Sequence, residues 1–157
     1  MQISVLWQQP IDLYDGSDSS QNYIYTCDDL NCVPEDAGVY IFARRFAEIL
    51  YPLYVGQAGS LRYRVRQQLN NVRLMRGVQN AKIGARVLLV GVLDLKGGQK
   101  TATALNLAER ALIEQFLNAQ HELLNKQGTR IRADEILSSG NRESCRLTSP
   151  SIVIPRR

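Results

Sequence analysis

Hydrophobic positions along this chain fall into two kinds of pattern. Short runs of β-branched and aromatic residues, Val39-Tyr40-Ile41-Phe42 and Leu53-Tyr54-Val55, predict two strands. A continuous apolar run over 85–95 (ARVLLVGVLDL) predicts a central strand buried on both faces. Helical spacing appears twice. Leu61, Val65, Leu69 and Val72 form one stripe, predicting an amphipathic helix over 60–76. Leu105, Ala108, Leu112, Ile113 and Phe116 form another, on a helix that starts at Thr101 or Thr103 and reaches Gln120.

Turn residues place the joints. Gln57-Ala58-Gly59-Ser60 reads as a tight turn with Ser60 as N-cap, and 96–100 (KGGQK) as a second turn. Residues 3–7 suggest an edge strand, 15–20 a loop, and 23–26 either a further strand or a covering segment. The tail reads as a short helix over 132–137, followed by an extended stretch to Pro155.

Length and composition narrow the classes. A chain of 157 residues is one domain by length, large enough for a core without staples. No run approaches the roughly 18 apolar residues of a membrane span, and the first residues carry no secretory pattern. Cys27, Cys32, Cys145 and the single histidine, His121, are too few and too scattered for a zinc site. Free thiols in a reducing cytoplasm are expected.

Charge is unevenly spread. The first 37 residues hold seven acids and no lysine or arginine, leaving +11 on the remaining 120 for a chain total of +4. The acidic lead-in either is a solvated segment or folds back against a basic face that nucleic acid would use. Between Ser60 and Arg86 there are seven basic residues and no acid. An ordinary solvated helix would interleave glutamates, so this face points to nucleic-acid contact. On the 60–76 projection Arg62, Arg66, Arg73 and Arg76 share one flank, with Lys82 beyond, while Arg64 points to the other flank. The tail, with Lys126, Arg130, Arg132, Arg142, Arg146, Arg156 and Arg157, either adds contacts or is solvated.

One carboxylate stands out. Glu109 projects into the apolar face of the second helix, whereas Glu114 projects outward. A carboxylate on a buried side calls for a cation or several donors, unless its stem packs and its head reaches water.

Together, Gly38-Val39-Tyr40 and Tyr54-Val55-Gly56 followed by a basic helix resemble the GIY-YIG nuclease family, which is named for two such tripeptides on adjacent strands. Thirteen residues separate Tyr40 from Tyr54. The family's arginine, eight residues past the second glycine, matches Arg64, its glutamate matches Glu109, and its late asparagine matches Asn125. Where members often carry a histidine, this chain has Gln67-Gln68. The resemblance spans residues 38–125 and implies an α+β fold, a small three-stranded antiparallel central sheet flanked by helices. The expected organisation is an acidic extension (1–37) packed on the domain, the nuclease-like domain (38–128), and a basic extension (129–157).

The resemblance further implies a metal-dependent DNA endonuclease, with Mg2+ or Mn2+ on Glu109 and the scissile phosphate on Arg64. Tyr40 is the expected base, Tyr54 its partner, Asn125 completes the set, and Gly38 and Gly56 permit close backbone approach. An unperturbed phenol, with a pKa near 10, needs a nearby cation for that part. The other open class is an idle nucleic-acid-binding module on the same scaffold. Nothing in the pattern separates DNA from RNA or a homodimer from a partner protein. No membrane contact is expected.

Overall fold

A computed structural model describes residues 2–17, 23–125, 133–148 and 151–155. Its centre is a mostly antiparallel sheet, and the architecture is α+β. Two strands from the lead-in, β1 (Ser4–Trp7) and β2 (Ile11–Asp12), pair with the long strand β7 (Ala85–Asp94). A two-stranded ladder, β3 (Tyr14–Asp15) with β4 (Tyr25–Thr26), sits beside them. The acidic segment therefore extends the sheet, and the strand expected over 3–7 is present. The loop residues 18–20 lie outside the described residues.

The strands β5 (Gly38–Phe46) and β6 (Ile49–Ala58) form a long hairpin, and β5 also pairs with β7. The interval between the two tripeptides is thus ladder almost throughout. Its turn is Ala47-Glu48, both in the left-handed region (φ 49° and 64°), as a two-residue hairpin turn requires. A two-residue turn leaves an even number of residues between regular partners, so the pairing of Phe42 with Tyr54 across eleven residues needs one irregularity. It falls at Leu53, which has no β5 partner because Phe42 pairs with Tyr54 and Ala43 with Pro52.

The predicted helix over 60–76 is two helices, α1 (Leu61–Leu69) and α2 (Val72–Gln79). The cause is local. Asn71 leaves helical geometry (φ −80°, ψ 93°), and its side chain caps α2 by accepting from the Leu74 N–H at 3.1 Å. Val72 consequently stands 56% exposed, while Leu74, Met75 and Val78 turn inward. Arg73 and Arg76 no longer share one helix flank with Arg62 and Arg66.

These helices and the lead-in cover one sheet face, burying Tyr40, Phe42, Leu61, Val65, Met75, Leu88 and Val90 together. The opposite face packs on α3 (Thr101–Asn118) through Val39, Ile41, Val55, Ala104, Leu105, Ala108 and Ile113. Central β5 is accordingly buried on both sides, and β7 nearly so.

The tail departs from expectation. Residues 133–137 form a strand, β8 (Ala133–Leu137), paired with β9 (Ser151–Pro155), and a short helix α4 (Arg142–Leu147) lies between them. Ladder pairing with a distant segment overrides local helix preference there. Lys126, Arg130, Arg132, Arg156 and Arg157, and the expected boundary at 128, lie outside the described residues. Among the described residues no helix is long and apolar enough to cross a membrane.

Candidate functional site

The hairpin register brings the two tripeptides face to face: Gly38 opposes Ala58, Tyr40 opposes Gly56, and Phe42 opposes Tyr54. The Tyr40 ring is 1% exposed and meets Phe42 edge-on at 5.9 Å and Tyr54 at 6.3 Å. A Cβ at Gly56 would run into the Tyr40 ring and hydroxyl, so glycine is what lets that phenol lie over the strand. Gly38 meets the equivalent limit against the Gly91 carbonyl and Leu61. Tyr54 is half-buried beside its partner.

Helix α1 begins after Ser60, whose side chain makes no cap bond. The first amides are taken by the lead-in instead: Leu61 N–H donates to Asp36 O and Arg62 N–H to Pro34 O. Burial of Leu61, Val65 and Leu69 turns the Arg64 side chain outward, where among the described residues its guanidinium has no hydrogen-bond or ion-pair partner. Arg62 differs. Its guanidinium donates to Val33 O at 2.8 Å, to Asn31 O at 3.1 Å and to Glu35 at 2.8 Å. That side chain, expected on nucleic acid, ties the lead-in to α1. Arg66, Arg73, Arg76 and Lys82 are exposed.

Glu109 comes from the other side of the sheet. It sits half-buried on α3 and accepts from Gln57 Nε2 at 3.2 Å, and the same amide donates to Asn106 Oδ1 at 2.5 Å. Burial pushes the Glu109 carboxyl above its ordinary range, partly offset by the Gln57 donor. Gln57 directly follows Gly56, so edge strand β6 stands between the Tyr40 face and the carboxylate.

Four groups meet electrically at the Tyr40 phenol. Burial is the largest influence and pushes it well above the usual tyrosine range. Gln68, donating to its oxygen at 2.9 Å, draws it down, Tyr54 raises it, the Arg64 charge lowers it and the Glu109 charge raises it. Tyr40, Tyr54, Arg64 and Glu109 are therefore brought within electrostatic reach of one atom. Burial works against the base role expected for Tyr40.

Asn125 does something else. Its side-chain amide donates to Val55 O at 2.7 Å and accepts from Val55 N–H at 3.0 Å, completing the open edge of β6 within the second tripeptide. Leu124 N–H adds a bond to Leu53 O at 2.7 Å. Both polar ends of Asn125 are committed to the Val55 backbone.

Sequence reasoning missed Gln57, Asn106 and Gln68. Gln57 carried a signal, a polar residue alternating with apolar ones on a strand. Gln68 read only as a missing histidine, yet it orients the phenol, and Asn71 in turn donates to its Oε1 at 3.2 Å.

Among the described residues no three His, Cys, Asp or Glu side chains gather as a multi-ligand metal site. A single carboxylate still suits Mg2+ or Mn2+, which takes one or two carboxylates and completes its shell with water and phosphate oxygens. The half-buried Glu109, with one donor on one oxygen, fits that description. No family model matches this chain, and no curated protein or solved structure matches it either.

Proposed function

We propose that this protein is a divalent-metal-dependent endonuclease that hydrolyses phosphodiester bonds in DNA, on a fold of the GIY-YIG type. The observation that carries the reading is the hairpin register that lays Tyr40 across Gly56 and beside Tyr54, with Glu109 bonded to the next residue, Gln57, and the charges of Arg64 and Glu109 both felt at the Tyr40 phenol.

Each residue has a part. Arg64 is free to hold the scissile phosphate with its fork of donors. Tyr40 stays a neutral phenol because of its burial, so its part is to donate a hydrogen bond to a phosphate oxygen, while the attacking water gives up its proton to solvent. Gln68 holds that phenol from behind. Tyr54, nearer solvent, lines the approach. Glu109 would hold Mg2+ or Mn2+; when bound, such an ion neutralises charge on a nonbridging oxygen and on the leaving 3′ oxygen. Arg66, Arg73, Arg76 and Lys82 supply phosphate contacts along the chain.

The deciding experiment is cleavage of supercoiled plasmid, and of single-stranded and branched DNA, at low salt with magnesium or manganese. Wild type, Glu109→Gln and Arg64→Ala run side by side, with EDTA as control. Metal-dependent nicking by wild type alone supports the reading. Binding without cleavage on every substrate would make the protein a binding module instead.

A further inference from the structure

A concavity lies beyond the Tyr40 site, towards the turn end of the hairpin. A cleft of about 550 Å³ opens between the C-terminal end of α2, the hairpin and the segment 120–124. Arg44, Tyr51, Asn80, Lys82 and His121 line it, with Glu122 the acidic member. Arg44 lies over the Tyr51 ring at 3.9 Å and donates one N–H to Ile83 O at 3.1 Å. The His121 ring meets Tyr51 edge-on at 6.2 Å. A guanidinium held flat on a ring is a planar surface that still offers donors.

The walls are clamped in place. On one side the buried Arg86 donates to the carbonyls of Val78, Gln79, Ala81, Lys82 and Gly84, fixing the loop that carries Lys82. On the other, Leu124 and Asn125 are bonded to β6 and Leu124 packs close to Gly77. The cleft is therefore preformed.

Its position matters as much as its lining. Tyr40 and Arg44 lie on the same face of β5, ~13 Å apart at the rise of an extended strand. Helix α2 covers a similar span, about 12 Å, and its exposed Arg73 and Arg76 lead from the Tyr40 end towards the cleft.

We infer that this cleft captures an unpaired nucleotide of the nucleic-acid chain whose neighbouring phosphates run along α2 to the Tyr40 site. The volume suits one base with its sugar, and a base stacked inside a duplex has no way in. Arg44 and Lys82 take the phosphate, and the guanidinium–ring pair and His121 take the base. The substrate class is then single-stranded or locally opened nucleic acid. The inference rests on the nucleic-acid reading above, though not on cleavage.

The test uses the full chain carrying Glu109→Gln, in EDTA, so that nothing is cut. Fluorescence anisotropy compares a short labelled single strand with a blunt duplex of the same sequence. The single strand is expected to bind tighter. Lys82→Glu should weaken the single strand about tenfold and the duplex, which loses one phosphate contact but no captured base, by a clearly smaller factor, in the range of one lost stacking and phosphate contact. Arg44→Lys, which keeps the charge and removes the plane, should also weaken the single strand selectively. Equal binding of strand and duplex overturns the inference. So does a parent-like single-strand affinity in both variants with unchanged circular dichroism, or a loss shared equally with duplex. Should nicking fail while the Lys82-dependent strand preference holds, the cleft stands and the nuclease reading falls.

Discussion

The Tyr40 phenol lies across the hairpin from Gly56, in the space that any side chain at position 56 would fill. The extra residue at Leu53 creates this relationship. Continuing the register of Ala43 and Pro52 without that bulge would set Val55 opposite Tyr40 and send Gly56 to the other face. The tyrosine of one tripeptide and the glycine of the other are therefore a single packed feature.

Gly56→Ala is expected to destabilise the fold by about 1–3 kcal/mol, because the rigid buried ring must move to admit a methyl group. The shift should also break the bond between Gln68 and Tyr40 and abolish nicking. Denaturant unfolding measures the first effect. Wild-type stability in this variant would show that the ring is not held over the strand.

Glu109→Gln is expected to raise the melting temperature at pH 7 in EDTA. A carboxyl whose folded pKa lies above its unfolded value binds its proton more tightly in the folded state. Ionisation therefore opposes folding as pH rises from the unfolded pKa to the folded one, and the penalty then persists. The advantage of glutamine should shrink as pH falls below the ordinary carboxylate range. Melting curves from pH 4 to 8 check the sign. A glutamine variant less stable than wild type at pH 7 would mean the carboxylate serves the fold.

Asn125→Ala should cost about 1–3 kcal/mol, since it strips both partners from the Val55 backbone on an edge strand. Amide hydrogen exchange at Val55 should speed up while that of Val39, on the central strand β5, changes less. Exchange at Val55 equal to wild type would exclude the clasp.

Arg62 and Arg73 are expected to separate cleanly. Arg62→Ala should increase proteolytic nicking of the lead-in around residues 31–35 and leave the salt dependence of DNA binding unchanged. Arg73→Ala should leave proteolysis alone and lower that salt slope by about one counterion. Equal salt slopes for the two variants would contradict this division.

Arg86→Met should be the most damaging of the single changes, by about 3 kcal/mol or more, because five carbonyls lose a charged donor at once. Thermal unfolding reads it directly. A small effect would mean that water replaces the guanidinium without loss.

Much of the architecture was legible beforehand, because strand and helix periods are properties of neighbouring residues. The three central strands, the 101–118 helix and its inward-leaning Glu109 all follow from spacing. The break at Asn70-Asn71 was not, since a side-chain cap competes with a helix by a margin that periodicity does not measure. Nor was β8 visible, because its partner lies more than a dozen residues away.

The site divides along the same line. Local sequence determines which chemistry is on hand: two phenols, a run of arginines, and one carboxylate on an apolar face. Tertiary structure alone decides which of these groups stay free. It commits Arg62 to the lead-in and Asn125 to the β6 edge, leaves the Arg64 guanidinium unpaired among the described residues, and buries Tyr40 deeply enough to raise its pKa. Hydrogen-bond partners and burial come from segments distant in the chain. A residue's availability is therefore settled only when those segments meet.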